Sequence, residues 1–198
     1  DTVVERTAVD APGALVGVDL VEEALPAWSE LHVGRYVLVE LVGKGGFGAV
    51  WAAFDPELDR KVAIKIVYLF PEGEGSTKEG GSSGREAAME HLLSEAQLPA
   101  QLAHPNVVAI HDVGTLAEEH VMAGGRRTLY IVMEHLDGPT LKSWFEDRSR
   151  GWREIIATMV RAGRGLEAAH ARGLVHLDFK PGNVMFGVNG RPRVLDFG

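Results

Sequence analysis

Eight residues, His176-Leu177-Asp178-Phe179-Lys180-Pro181-Gly182-Asn183, hold three kinds of chemistry in one short turn. Asp178 supplies a carboxylate, Lys180 an amine two residues on, and Asn183 an amide five residues on. That grouping suits a site in which a base meets a hydroxyl, a cation meets phosphate and an amide holds a metal. Thirteen residues after the amide, Asp196-Phe197-Gly198 supplies a second carboxylate. Either triplet alone is a weak signal. The two in this order, at this separation, make a strong one.

Far upstream, Gly43-Lys44-Gly45-Gly46-Phe47-Gly48-Ala49-Val50 has the spacing G-x-G-x-x-G-x-V. Dinucleotide-binding folds share its first six positions, but there the glycines open a helix. Here they lead into Val50-Trp51-Ala52-Ala53-Phe54 and then the turn Asp55-Pro56, which reads as a strand. The glycines therefore sit at a hairpin tip, where missing side chains let backbone amides approach phosphate. Taken alone, an ordinary glycine-rich hairpin reads the same way.

The paired triplets resemble the catalytic loop and the magnesium loop of the eukaryotic-type protein kinases. The resemblance covers roughly residues 33–198, with each expected motif in order, including Val62-Ala63-Ile64-Lys65 for the family's V-A-I-K strand. It implies an α+β, two-lobed kinase-like fold: a complete antiparallel β-rich N-lobe with one helix, then the first part of a helical C-lobe. The implied organisation is a loosely ordered leader over 1–31, N-lobe and hinge over 32–138, and partial C-lobe over 139–198. It also implies ATP and Mg2+ as cofactors and a protein serine or threonine hydroxyl as acceptor. Lys180 followed by Pro181 is similar to the serine/threonine branch.

The same resemblance assigns roles. Asp178 orients the acceptor hydroxyl and takes its proton, Lys180 stabilises the transferred phosphoryl, and Asn183 and Asp196 hold magnesium. Lys65, paired with Glu95, sets the nucleotide phosphates; Glu86 and Glu90 are rivals for that pairing. The loop from Val42 through Gly43, Lys44, Gly45, Gly46, Phe47 and Gly48 covers the phosphates. Met133 limits depth behind the adenine, backbone groups of Glu134 and Leu136 read its edge, and Val50, Ala63 and Met185 sandwich the ring. Plain core packing is the alternative for the apolar residues, and a lysine snorkelling at a strand edge is the alternative for Lys65.

Three features depart from the family pattern. Pro99, four residues after Glu95, cannot donate to that carbonyl, so the helix must kink or end early. Leu177 stands where the family usually has Arg, which predicts that activation-loop phosphorylation is not the main switch. The chain opens on Asp1 and stops on Gly198, so it reads as cut at both ends, with little or no peptide phosphorylation expected of it alone. A pseudokinase-like module that holds ATP or a partner without turnover is the runner-up, and a small-molecule kinase is a third reading.

Composition narrows the classes further. The chain has 198 residues, and its formal charge of −8 argues against a general nucleic-acid or anionic-membrane binder. The absence of cysteine removes disulfides and thiolate metal sites and fits a cytoplasmic protein. No apolar run approaches a membrane span.

The elements that must position these groups are legible by period. Residues 1–31 show no sustained pattern. Strands are predicted over 36–42, 50–54, 61–67, 107–112 and 128–133. Between them, 71–84 reads as a linker, and Ser83 with Glu86 forms a capping-box signal for a helix carrying Met89, Leu92, Leu93 and Ala96. Residues 117–127 continue a polar connection that starts at Leu116. Past the hinge, a short helix is predicted over 141–148. A longer one follows, with Ile155, Ile156, Met159, Val160, Gly163, Leu166 and His170 along one stripe and Gly173 as its cap. Strands 184–186 and 193–195 form a hairpin turning at Asn189-Gly190, which brings Asp196 back towards Asn183. His176 reads as a packed scaffold residue.

Overall fold

The computed structural model describes residues 31–45, 48–68, 99–116, 128–147 and 149–197. Six strands form one antiparallel sheet: β1 (His32–Val33), β2 (Tyr36–Gly45), β3 (Gly48–Asp55), β4 (Arg60–Tyr68), β5 (Ile110–Leu116) and β6 (Thr128–Glu134). Their order across the sheet is β1-β2-β3-β4-β6-β5. Period-two alternation makes each strand two-faced. On β4, Val62, Ile64 and Ile66 are fully buried, and on β3 Ala49, Trp51 and Ala53 join them. Each aliphatic side chain buried this way stabilises the fold by about 1.5–3 kcal/mol. The opposite, half-buried face carries Val50, Ala63 and Lys65.

Register fixes which of those residues meet. Val50 pairs with Lys65 across β3 and β4, and Ala63 and Lys65 pair with Met133 and Ile131 across β4 and β6. A one-residue slip would turn all of them into the core, so burial of Val62, Ile64 and Ile66 specifies the site's face as well. Two irregularities in β2, at 38–40 and 41–43, break its ladder with β3. Beyond Leu38 every residue of β2 is exposed.

The helical part begins with α1 (Leu141–Glu146), capped by Thr140, whose Oγ1 accepts the Ser143 N–H at 3.2 Å. Then come α2 (Trp152–His170), a 3-10 turn (Pro181–Asn183), and a second small sheet of β7 (Val184–Phe186) and β8 (Pro192–Val194). Gly173, at φ +77, closes α2: its N–H reaches His170 O and the next N–H reaches Ala169 O, both near 3 Å.

Several sequence expectations shift. The strand expected from 107, here β5, starts at Ile110 instead, because Val107 and Val108 are claimed by β8. Val107 bridges Val194 in parallel, and the Val108 N–H donates to Val194 O at 3.0 Å. The short helix stops at Glu146 because Asp147 turns its carboxylate to the Ser149 N–H and Oγ. The last strand runs 192–194, one residue early. Leu31, grouped with the leader, is a core residue whose carbonyl accepts the Leu38 N–H.

Along α2 the expected stripe is only partly packed. The helix's packed face is Thr158, Ala162, Gly165 and Ala169, flanked by Ile155 and Leu166. Of the expected stripe, Ile156, Met159 and Val160 are exposed. At Gly165 the approach is closest, since a Cβ there would stand 2.5 Å from Asn106 O. The predicted helix that starts after Ser83 and carries Met89, Leu92, Leu93 and Ala96, and the linker before it, lie outside the described residues; residues 99–100 are helical, and a turn closed by the Leu102 N–H to Pro99 O ends them.

Candidate active site

The 176–183 turn is held from below and within. His176, 2% exposed, packs its ring against Phe197 and Phe179, with centroids 4.8 and 5.6 Å apart. Leu177 has φ +59 and is 83% exposed, so it reverses the chain without contributing to packing. The Asp178 N–H donates back to His176 O at 2.7 Å.

This geometry brings three predicted residues together. Lys180 Nζ lies 2.7 Å from Asp178 Oδ2, and Asn183 Nδ2 donates to Asp178 O at 3.0 Å and to Oδ2 at 3.3 Å. The Lys180 hydrogen bond, reinforced by its charge and by Asn183 and partly opposed by desolvation, holds the Asp178 carboxyl below the usual carboxylate range. At neutral pH Asp178 is therefore an ionised acceptor.

A second pair forms across the chain. Lys65 Nζ donates to Asp196 Oδ1 at 2.8 Å, joining residues 131 positions apart. Asp196 itself has φ +54. Its neighbour ties the two groups together, because the Leu195 N–H donates to Asn183 O at 2.9 Å. Lys65 and Asp196 also line one cavity of about 50 Å3 with Val108, Ile131, Met133 and Phe197.

Next to this lies an apolar cluster of Val108, Met133 and Leu136, with Ala63, Ile131, Met185 and Leu195 packed against it. Two residues expected to sandwich the ring, Ala63 and Met185, thus meet Met133, expected to limit its depth, and Leu136, whose backbone is expected to read its edge. Val50 reaches the same face through its pairing with Lys65. The chain after β6 is stitched to the small sheet by the Gly138 N–H to Phe186 O and the Phe186 N–H to Pro139 O, both 3.0 Å. Glu134 is pinned by its own N–H to Ala109 O at 2.8 Å.

The glycine segment is the β2–β3 hairpin, with Gly43 opposite Val50, Lys44 opposite Ala49 and Gly45 opposite Gly48. Val42, 61% exposed, precedes it. Gly46, Phe47, Glu95 and its rivals Glu86 and Glu90 lie outside the described residues.

Two residues at the junction were not singled out from sequence. Asn106, 6% exposed, donates to Pro192 O at 2.9 Å and its carbonyl accepts the Val194 N–H at 2.9 Å, which docks β8 against the segment before β5. Arg193 pairs with Glu134 at 2.9 Å. Their partners stand 86 and 59 positions away, beyond the reach of any local pattern. Among the described residues no helix is long and apolar enough to cross a membrane.

A curled antiparallel sheet whose lysine meets an Asp-Phe-Gly carboxylate beside an Asp-x-Lys-x-x-Asn turn defines the protein kinase class. The chain belongs to that family: the model for the protein kinase domain matches residues 36–198. Its relatives are bacterial serine/threonine kinases. It is 39% identical over 166 residues to the serine/threonine-protein kinase PknA of Mycobacterium tuberculosis, covering 83% of this chain and 35% of that one. It is 39% identical over 173 residues to PksC of Streptomyces coelicolor, covering 83% and 28%. The probable serine/threonine-protein kinase PknB of Bifidobacterium longum is 32% identical over 166 residues, covering 83% and 22%. The chain thus spans about a third or less of the length of these relatives.

Proposed function

We propose that this chain binds Mg-ATP and carries the phosphoryl-transfer chemistry of a serine/threonine protein kinase acting on a protein hydroxyl. The observation that carries the reading is the 2.8 Å Lys65–Asp196 pair tied by one backbone bond to the Asp178–Lys180–Asn183 cluster. A cytoplasmic setting is part of the same proposal.

The residues present fit the cofactors by donor chemistry. Among the described residues no group of three or more His, Asp or Glu could cage a metal. Asn183 and Asp196 offer only hard oxygen donors, which suits an ion held by one or two protein ligands plus substrate phosphates, as magnesium is. When bound, Mg-ATP supplies the phosphoryl group and a divalent charge that offsets charge developing in transfer.

The chain's residues then act by position. Lys65 exchanges its carboxylate partner for phosphate oxygens, which frees Asp196 as a ligand. Asp178, ionised and held by Lys180 and Asn183, accepts a hydrogen bond from the acceptor hydroxyl and fixes its line of approach. A low-pKa acceptor of this kind orients the hydroxyl and takes its proton late, when the oxygen has become acidic. Lys180, beside Asp178, places positive charge where the phosphoryl passes. The apolar cluster at Met133 seats the base and excludes water.

The runner-up, a module that holds nucleotide without turnover, is favoured by Leu177, which stands 83% exposed where the family usually has Arg. Calorimetric titration of the 198-residue chain with ATP tests the first step. Binding that requires Mg2+ and weakens at least tenfold in Lys65→Met and Asp196→Asn is expected, and Mg2+-independent or unaltered binding refutes the reading. In a chain fused to the remaining C-lobe of a relative, phosphotransfer to a serine-containing protein that vanishes in Asp178→Asn establishes the enzyme; binding with no such transfer there favours the module.

A further inference from the structure

We propose that Arg193 is a positioning residue that locks the adenine-facing hinge to the strand leading to Asp196. The inference rests on the nucleotide-binding reading above and deepens it by naming what holds the base seat in place.

Arg193 lies on β8, three residues before Asp196, opposite Met185 on β7. Its guanidinium spans three segments. Nη2 meets Glu134 Oε1 at 2.9 Å, and Nη1 donates to Pro105 O at 3.1 Å and to Val107 O at 3.5 Å. Exposed ion pairs stabilise little, but these side chains are only 18% and 27% exposed. A planar fork suits the task, since its donors point in fixed directions to several acceptors at once, which an ammonium cannot copy.

The pair also has no fallback. Glu134 Oε2 and Arg193 Nε are both buried without a hydrogen-bond partner among the described residues. Removing either residue therefore leaves the other's charge, largely shielded from water, without its ion-pair partner. Glu134 would then be held by its backbone alone. Its neighbours Met133 and Leu136, with Met185 beneath, form the apolar seat. Loss of Arg193 should loosen that seat while leaving Lys65 and Asp196 paired, so base binding and phosphate binding should respond differently.

The test uses adenosine and Mg-tripolyphosphate as separate probes, titrated calorimetrically at 15 °C into the 198-residue chain and its variants. Arg193→Ala is expected to weaken adenosine binding roughly fivefold or more while tripolyphosphate binding stays within about twofold. Arg193→Lys should recover only part of the loss. Glu134→Gln, nearly isosteric, should mimic Arg193→Ala, and the double variant should be no worse than either alone. Should Arg193→Ala not fold, Glu134→Gln decides by the same readout. A general loss of structure would weaken both probes together, and that result, or unchanged adenosine binding, overturns the proposal. A wild-type chain that binds neither probe refutes the nucleotide reading itself, and the inference falls with it.

Discussion

Two glycines on one helix should respond in opposite directions to the same added methyl. Gly163 is exposed in the interior of α2, and a Cβ built there meets nothing within 4 Å. Gly163→Ala should therefore recover the ordinary helix preference for alanine, about 0.5–1 kcal/mol. Gly165, two residues on, faces Asn106. A Cβ there would stand 2.5 Å from Asn106 O, 3.2 Å from its carbonyl carbon and 3.3 Å from Val194 Cγ2. Restoring a normal separation means moving backbone rather than a flexible side chain. The atom that must move accepts the Val194 N–H at 2.9 Å, so the shift also strains the bond that docks β8. Overpacking of this kind costs about 1–3 kcal/mol, and a weakened backbone hydrogen bond adds about 0.5–1.5 kcal/mol. Set against the alanine gain, Gly165→Ala should destabilise by about 1–3 kcal/mol, or a few degrees in Tm for a chain this size. Urea unfolding followed by tryptophan fluorescence, with unchanged m-values, is the assay. If both variants move the midpoint the same way, the close approach of α2 to residues 106 and 194 is wrong. Because β8 leads to Asp196, Gly165→Ala should also weaken Mg-ATP binding, whereas Gly163→Ala should not.

Two pH predictions follow from single contacts. Tyr36, 1% exposed, donates to Asp112 Oδ2 at 3.0 Å, and burial, then that hydrogen bond, push its phenol up to about 12. A raised tyrosine pKa contributes stability that is complete below the unfolded value near 10 and is lost as pH rises through the folded one. Ultraviolet titration should show a tyrosine ionising around 12 that disappears in Tyr36→Phe; normal ionisation of all three would refute the burial. Asp178 runs the other way. Its depressed pKa means the Lys180 pairing is intact above the unfolded value near 3.9 and is lost only as pH falls below it, through the folded value. Carboxyl resonances followed by NMR should place the Asp178 titration below that of a free aspartate, and Lys180→Met should move it upward.

How much of this was legible depended on whether the controlling contact was local. The hairpin glycines, the Val62-Ala63-Ile64-Lys65 strand and the Asp178–Asn183 turn are specified by neighbours in sequence, and all three lie where period and spacing put them. The α2 stripe is legible in its period, and Ile155 and Leu166 pack as part of it. What period does not show is that Thr158, Ala162, Gly165 and Ala169 are the buried positions, and at Gly165 the backbone of Asn106 leaves no room for a Cβ. The run 107–112 was misplaced for a related reason. It is apolar enough for a strand, but the partner that claims Val107 and Val108 is Val194, and nothing near residue 107 announces it. Arg193 was invisible on the same grounds, since an arginine in a short strand looks like an exposed one until Glu134 is brought beside it.

Backbone strain makes the last connection between sequence and site. Among the described residues, non-glycine positive φ occurs at Asp59, Leu177 and Asp196. Asp59 closes the tight turn before β4, and aspartate tolerates that region well. Leucine does not, and about 1–2 kcal/mol is the usual cost. The Leu177 side chain returns almost nothing, being 83% exposed. The compensation must come from what its backbone reversal permits. It lets His176 stay buried against Phe197, the residue after Asp196, while Asp178 turns outward to Lys180. The two outlying backbones thus flank one ring contact, 4.8 Å between His176 and Phe197, that joins the turn bearing Asp178 to the segment bearing Asp196. A relaxed residue 177 would have to give up either the buried imidazole or the outward carboxylate. The strain at Leu177 is therefore compensated by the ring contact that ties the turn bearing Asp178 to the segment bearing Asp196.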